Sequence, residues 1–152
     1  MKRDRISTAI SLICAAITAA TFVHLLLSWV TMPDIIPTHY GADGTIDAWG
    51  GKARAFFPPI VMLLMLILFE WVERHPKIWN TGVRVTDENR VRVYGCLRAL
   101  VISLKLIIIV AFAVISATQV SGTPLPWHFL PTFLLVTFGD LALWLVPLRR
   151  FK

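Results

Sequence analysis

Apolar residues fall in four long runs, and the polar ones are gathered between them. Residues 7–30, 56–72, 100–120 and 127–146 are almost uninterrupted hydrophobic sequence. A hydrocarbon core of about 30 Å takes about 20 helical residues, so each run predicts a membrane-crossing helix, the longer ones with some tilt. Backbone groups in lipid must be satisfied within a helix or a closed sheet, and these runs lack the alternation of barrel strands. The pattern predicts an all-α integral membrane protein. It has a single domain over residues 1–152, with transmembrane helices at about 7–30, 56–72, 100–120 and 127–146, an outer loop at 31–55 and an inner hairpin at 73–98.

Local signals punctuate these runs. Pro58 and Pro59 fall in the first turn of the second helix, where a missing N–H costs little, and Pro76 ends it. Thr86 is a good N-cap, with Asp87 and Glu88 in the first turn where the dipole favours anions, so the third helix is expected to begin near Asp87. The run SGTPLP at 121–126 is a turn, and Pro147 closes the fourth helix. A cleaved leader is the competing reading of the first run, with Ala19 and Ala20 as small residues. Its apolar stretch exceeds the usual leader core of about 7–15 residues.

Composition sharpens this picture. A chain of 152 residues that is 57% apolar and 16% charged leaves too little polar surface to coat a soluble core. The net charge of +6 raises nucleic acid as a partner, but the basic residues flank apolar runs, which fits anionic lipid head groups instead. Cys14 lies within one run and Cys96 beside another, which argues against a disulfide framework. Twelve Lys and Arg residues lie in the N-terminus, the central connection and the C-terminus, against Lys52 and Arg54 in the loop at 31–55. The positive-inside rule therefore places both termini in the cytoplasm and that loop outside. Trp29 and Trp127 then sit at the outer boundary and Trp71 and Trp144 near the inner one.

The loop carries the clearest turn chemistry: MPDIIPTHYGADGTIDAWGGK at 32–52. Asp43-Gly44 is a strong turn signal, and Asp47 is placed to cap a short helix carrying Trp49. Read blandly, it is a solvated connection. Read sharply, it is a ligand or peptide site with His39, Asp47 and Lys52 supplying charge and hydrogen bonds. His24, His39 and His128 all fall toward the outer boundary near Asp34, Asp43 and Asp47, a set whose chemistry suits zinc. No compact ligand spacing accompanies them, and no cofactor is implied.

At IPTHYGADGTIDAWGGK the chain resembles a widespread bacterial family of small membrane proteins with a domain of unknown function. That domain also forms the N-terminal part of SdpI-type immunity proteins. The resemblance rests on Pro33, Ile36, Pro37, His39, Gly41, Gly44, Asp47, Trp49 and Lys52, and secondarily on VTDENRVRVYGCLRAL at 85–100. It implies a multi-pass protein of the bacterial cytoplasmic membrane. In the SdpI case it implies protection against a secreted killing factor and capture of a repressor at the membrane. The chain departs from that case in ending after four runs, without a clear C-terminal SdpI-type module. The loop residues that carry the implied ligand or partner site are Pro37, His39, Gly44, Asp47, Trp49 and Lys52.

Within the runs, Glu70, Lys105 and Asp140 are ionisable. A charge at the bilayer centre costs about 2.5–3.5 kcal/mol or more, so such groups are expected to face one another or water. Spans three and four run oppositely and bring Lys105 and Asp140 to similar depth, predicting a Lys105–Asp140 pair joined by Glu70. Snorkelling to the inner interface is the alternative for Lys105 and Glu70.

Three functions are open at this stage. The first is a non-enzymatic immunity or sensing protein whose outer loop meets an extracellular peptide or small ligand and whose basic inner hairpin (Arg84, Arg90, Arg92, Arg98) meets a cytoplasmic partner. The second is a small transporter or transporter subunit using Glu70, Lys105 and Asp140, which four helices accommodate best as a homo-oligomer. The third is a membrane enzyme with His39, Asp47 and Lys52 as acid–base groups, for which no nucleophile elbow, zincin helix or phosphate loop is present.

Overall fold

The computed structural model describes residues 5–151. Its elements are α1 (Arg5–Ser28), a hairpin of β1 (Ile35–Tyr40) and β2 (Ile46–Gly51), α2 (Phe57–Arg74), α3 (Arg90–Ser121) and α4 (Phe129–Leu145). Short 3-10 turns precede α2 and follow α4. Four helical segments are long and apolar enough to cross a membrane. At 1.5 Å per residue, the 32 residues of α3 extend about 48 Å. α3 is the central element and packs against α1, α2 and α4.

The helices run up and down, giving the bundle a hairpin end and a basic end. At the hairpin end Leu25, Met32, Ile36, Ala55 and Val120 form one buried cluster, with Trp29 and Phe56 against it. Midway, Cys14, Met62 and Ile109 pack together. At the basic end Val93 and Leu97 of α3 meet Leu148 beyond α4, with Trp79 alongside. α1 joins through a stripe of mostly small residues, Ser7, Cys14, Thr18, Thr21 and Leu25, which lets backbones approach closely. Thr18 and Thr21 donate to carbonyls four residues back, so their hydroxyls need no interhelical partner.

α3 is assigned from Arg90, three residues beyond the expected start, but Thr86 does cap it. The Thr86 hydroxyl accepts the Asn89 N–H at 3.4 Å, Asn89 Oδ1 accepts the Thr86 N–H at 2.8 Å, and the Arg90 N–H reaches the Thr86 carbonyl at 2.9 Å. This is the reciprocal pattern of a capping box, with Asn in place of the usual acid or Gln.

The 31–55 region differs from a purely helical expectation. It holds a two-stranded antiparallel sheet, so the fold is helical with one β-hairpin rather than all-α. Asp47 and Trp49 lie in β2, not in a short helix that Asp47 would cap. The reason is the turn: Asp43 and Gly44 reverse the chain with Gly44 at φ +85°, and pairing then extends the residues on both sides. Asp43 Oδ1 accepts both the N–H and the hydroxyl of Thr45, at 3.1 and 2.7 Å, which fixes the turn. The register is irregular on either side of His39, two places beyond Pro37, which has no N–H for a ladder.

Candidate functional site

The hairpin is held at both ends. At its base the Lys52 N–H donates to the Asp34 carbonyl at 2.9 Å and the Lys52 ammonium pairs with the Asp34 carboxylate at 2.9 Å. That ammonium also lies 5.3 Å from the centre of the Trp29 ring, which packs tilted on Phe56. Lys52 holds the Asp34 carboxyl below the usual carboxylate range, and the Thr45 bonds do the same for Asp43. At its tip the Leu125 N–H donates to the Gly44 carbonyl at 3.0 Å, tying the turn to the α3–α4 connection.

Between tip and base the hairpin roofs a cavity of about 400 Å³. Tyr40 lines it from β1, Phe57 and Pro58 from α2, Phe112 and Gln119 from α3, and Phe129 from α4. Gln119 is 5% exposed, and its Oε1 meets no hydrogen-bond partner. The Tyr40 hydroxyl is likewise buried without a bond of ordinary geometry. It lies beside Thr118, whose hydroxyl donates to the carbonyls of Val114 and Ile115 and offers the Tyr40 O–H only its oxygen as an acceptor. Burial pushes the Tyr40 hydroxyl above its ordinary pKa.

His39 stands at the rim, where its Nδ1 meets Asp47 Oδ1 at 2.6 Å. The carboxylate accepts the Nδ1–H there and fixes the orientation of the ring. Pro37 is buried under the sheet, and Trp49 is 56% exposed. The loop residues singled out in the sequence thus split by role. His39 and Asp47 form a dyad, Gly44 makes the tip contact, and Lys52 serves the base with Asp34 instead of joining the dyad. His24, His39 and His128 line three separate recesses, and no three metal-ligating side chains converge among the described residues.

A second polar site lies inside the basic end. Lys105 is fully buried and donates to Ser11 Oγ at 2.6 Å and Glu70 Oε1 at 2.8 Å, with Glu73 Oε2 at 3.5 Å. Glu73, also fully buried, accepts from the Ser7 hydroxyl and from Arg98 at 3.3 Å. Glu70 is 3.7 Å from the exposed Arg74. The expected Lys105–Asp140 pair is absent among the described residues. Asp140 instead accepts from Ser103 at 2.8 Å and from the Trp144 indole at 3.0 Å. The reason is azimuth: residues 103 and 105 project about 200° apart on a helix, so Ser103 faces α4 while Lys105 faces α1 and α2.

Reading the sequence for deep charges passed over Glu73, Arg98, Ser7 and Ser11. Their signal was spacing. Glu73 follows Glu70 by three, Ser11 follows Ser7 by four, and Arg98 precedes Lys105 by two helical turns, so each shares a face with its neighbour in the cluster. Tyr40 and Gln119 carried no such signal.

Comparison with known proteins adds a family match for part of the chain. A family model described as a domain of unknown function (DUF1648) matches residues 16–63, from the middle of α1 through the hairpin into α2. An archaeal protein from Archaeoglobus fulgidus, described as uncharacterized, is 23% identical over 82 residues, covering 49% of this chain. The match spans 45% of that relative's own length. No solved structure matches the chain. The family match therefore contains both strands and the whole base clip, whereas Lys105, Gln119 and Asp140 fall outside it.

Proposed function

We propose that the chain is a non-enzymatic, multi-pass protein of the bacterial cytoplasmic membrane, of SdpI-like type, that meets an extracellular ligand at the hairpin and serves immunity or sensing. Both termini and the 73–98 connection face the cytoplasm in this reading, because twelve of the fifteen Lys and Arg residues fall in the two terminal segments and that connection along the sequence. The observation that carries it is the hairpin fastened at base and tip over an apolar cavity. Such a roof, with a few placed polar groups beneath it, is the usual form of a small-ligand site. The His39–Asp47 dyad at the rim supplies an oriented, hydrogen-bonding polar edge for an approaching peptide.

Survival of a sensitive bacterial strain exposed to culture supernatants containing secreted peptide toxins tests this reading. Cells expressing the chain survive, whereas His39→Ala and Asp47→Ala cells die at unchanged membrane levels of the protein. Equal killing with and without the gene, across toxin-producing supernatants, overturns it.

A second reading, a transporter subunit, draws on Lys105 set between Glu70 and Glu73. Buried ionisable groups at membrane depth are commonly part of an ion or proton path. Substrate flux into proteoliposomes that is lost with Glu70→Gln would favour it.

A further inference from the structure

We propose that the cavity under the hairpin takes an uncharged, largely apolar molecule bearing one hydroxyl, held between Gln119 and Tyr40. This deepens the reading of the hairpin as a ligand site and rests on it. Three observations carry the proposal.

The first is volume and lining. About 400 Å³ lies within the range of small-molecule sites, and its walls include the rings of Phe57, Phe112 and Phe129. No Lys, Arg, Asp or Glu lines it, so a charged ligand would enter without a counter-charge.

The second is a pair of poorly satisfied polar atoms, Gln119 Oε1 without a partner and the Tyr40 hydroxyl with no more than a contact of poor geometry to Thr118. A buried amide or hydroxyl without a partner is costly, and such atoms are uncommon in folded proteins. Gln119 Oε1 from α3 is such an atom, and the Tyr40 hydroxyl from β1 is close to being one; both residues line the same cavity. Gln119 is 5% exposed, so bulk solvent does not relieve it. A hydroxyl both donates and accepts. It therefore satisfies an amide on one side and a phenol on the other.

The third is that the site is assembled by the fold. The roof is pinned to the α3–α4 connection by the Gly44–Leu125 backbone bond and to the turn just after α1 by Lys52 over Trp29. The cavity is thus built into the folded chain.

The test uses the full chain in lipid nanodiscs and a photoreactive diazirine derivative of a short 4-alkylphenol, with the corresponding alkylbenzene lacking the hydroxyl as its control. Adducts are mapped by mass spectrometry, with excess 4-pentylphenol as competitor. The phenol probe is expected to label the cavity walls around residues 40, 112, 119 and 129, roughly tenfold more than the control at equal dose, since two buried hydrogen bonds are at stake. Gln119→Leu and Tyr40→Phe should lower phenol labelling to the level of the control. Persisting control labelling in those variants shows that the cavity has survived the substitution. Equal labelling by the two probes in the unmodified chain overturns the proposal, as does labelling spread evenly along the outer faces of the helices. The result is independent of toxin protection: hydroxyl-selective labelling without protection keeps this site and rejects the immunity reading. Protection without hydroxyl selectivity does the reverse.

Discussion

Gly44 and Leu125 join the hairpin to the helical bundle backbone to backbone, 81 positions apart in the chain. Gly44 sits at φ +85°, and a Cβ built on it would collide with the Leu125 carbonyl. Two separate constraints therefore meet at one residue, a left-handed conformation and a close approach. Gly44→Ala is expected to destabilise the protein by about 1–3 kcal/mol. The tip should also lift from the α3–α4 connection. Faster hydrogen exchange at the Leu125 amide, together with a lower thermal midpoint in detergent, would register both effects; unchanged exchange would remove this role for Gly44.

Lys105 touches both Glu70 and Glu73 in the buried cluster, at 2.8 and 3.5 Å. Removing one member of a buried ion pair costs up to about 3–5 kcal/mol, here offset in part because Arg98 still meets Glu73 and Arg74 still lies near Glu70. Lys105→Met should therefore strongly lower thermal stability, and adding Glu73→Gln should recover part of the loss. A double variant no better than Lys105→Met would show that the two charges are not coupled.

Asp140, on α4, meets a different face of α3 from the one that carries Lys105. It is bonded to Ser103 and Trp144, so Asp140→Asn should be mild and Ser103→Ala should act through the same contact. The double-mutant cycle between Lys105→Met and Asp140→Asn should close to within about 0.5 kcal/mol, as for independent sites. Coupling well above that would mean the two residues interact after all.

The base clip is acid-sensitive. Lys52 depresses the Asp34 carboxyl, so the clip contributes at any pH above the ordinary carboxylate value, and its contribution is lost as pH falls through the lowered value. The thermal midpoint of the unmodified chain should exceed that of Asp34→Asn at pH 7, by a small margin because Asp34 is exposed. The two should converge as pH drops below about 4. A constant gap down to pH 2 would argue against the clip.

Much of the site was legible before any coordinates, for local reasons. Asp43-Gly44 announces a reversal through the chemistry of its own two residues, and Thr86 announces the start of α3 by its own hydroxyl. Asp47 was misread as a helix cap for a complementary reason. An Asp before an apolar pair suits either a cap or a strand, and only the pairing of β2 with β1 across the turn decides between them.

What the amino-acid order determined by itself is length and greasiness. Four apolar runs of about twenty residues admit helices and little else, because backbone groups removed from water must bond within the segment. What the tertiary structure decided is which way each helix turns. Helices that are apolar on every side carry no stripe to mark the inward face. Whether Lys105 meets Glu73 or Asp140, and whether Gln119 comes to line the same cavity as Tyr40, is therefore settled by the packing of α3 against its neighbours.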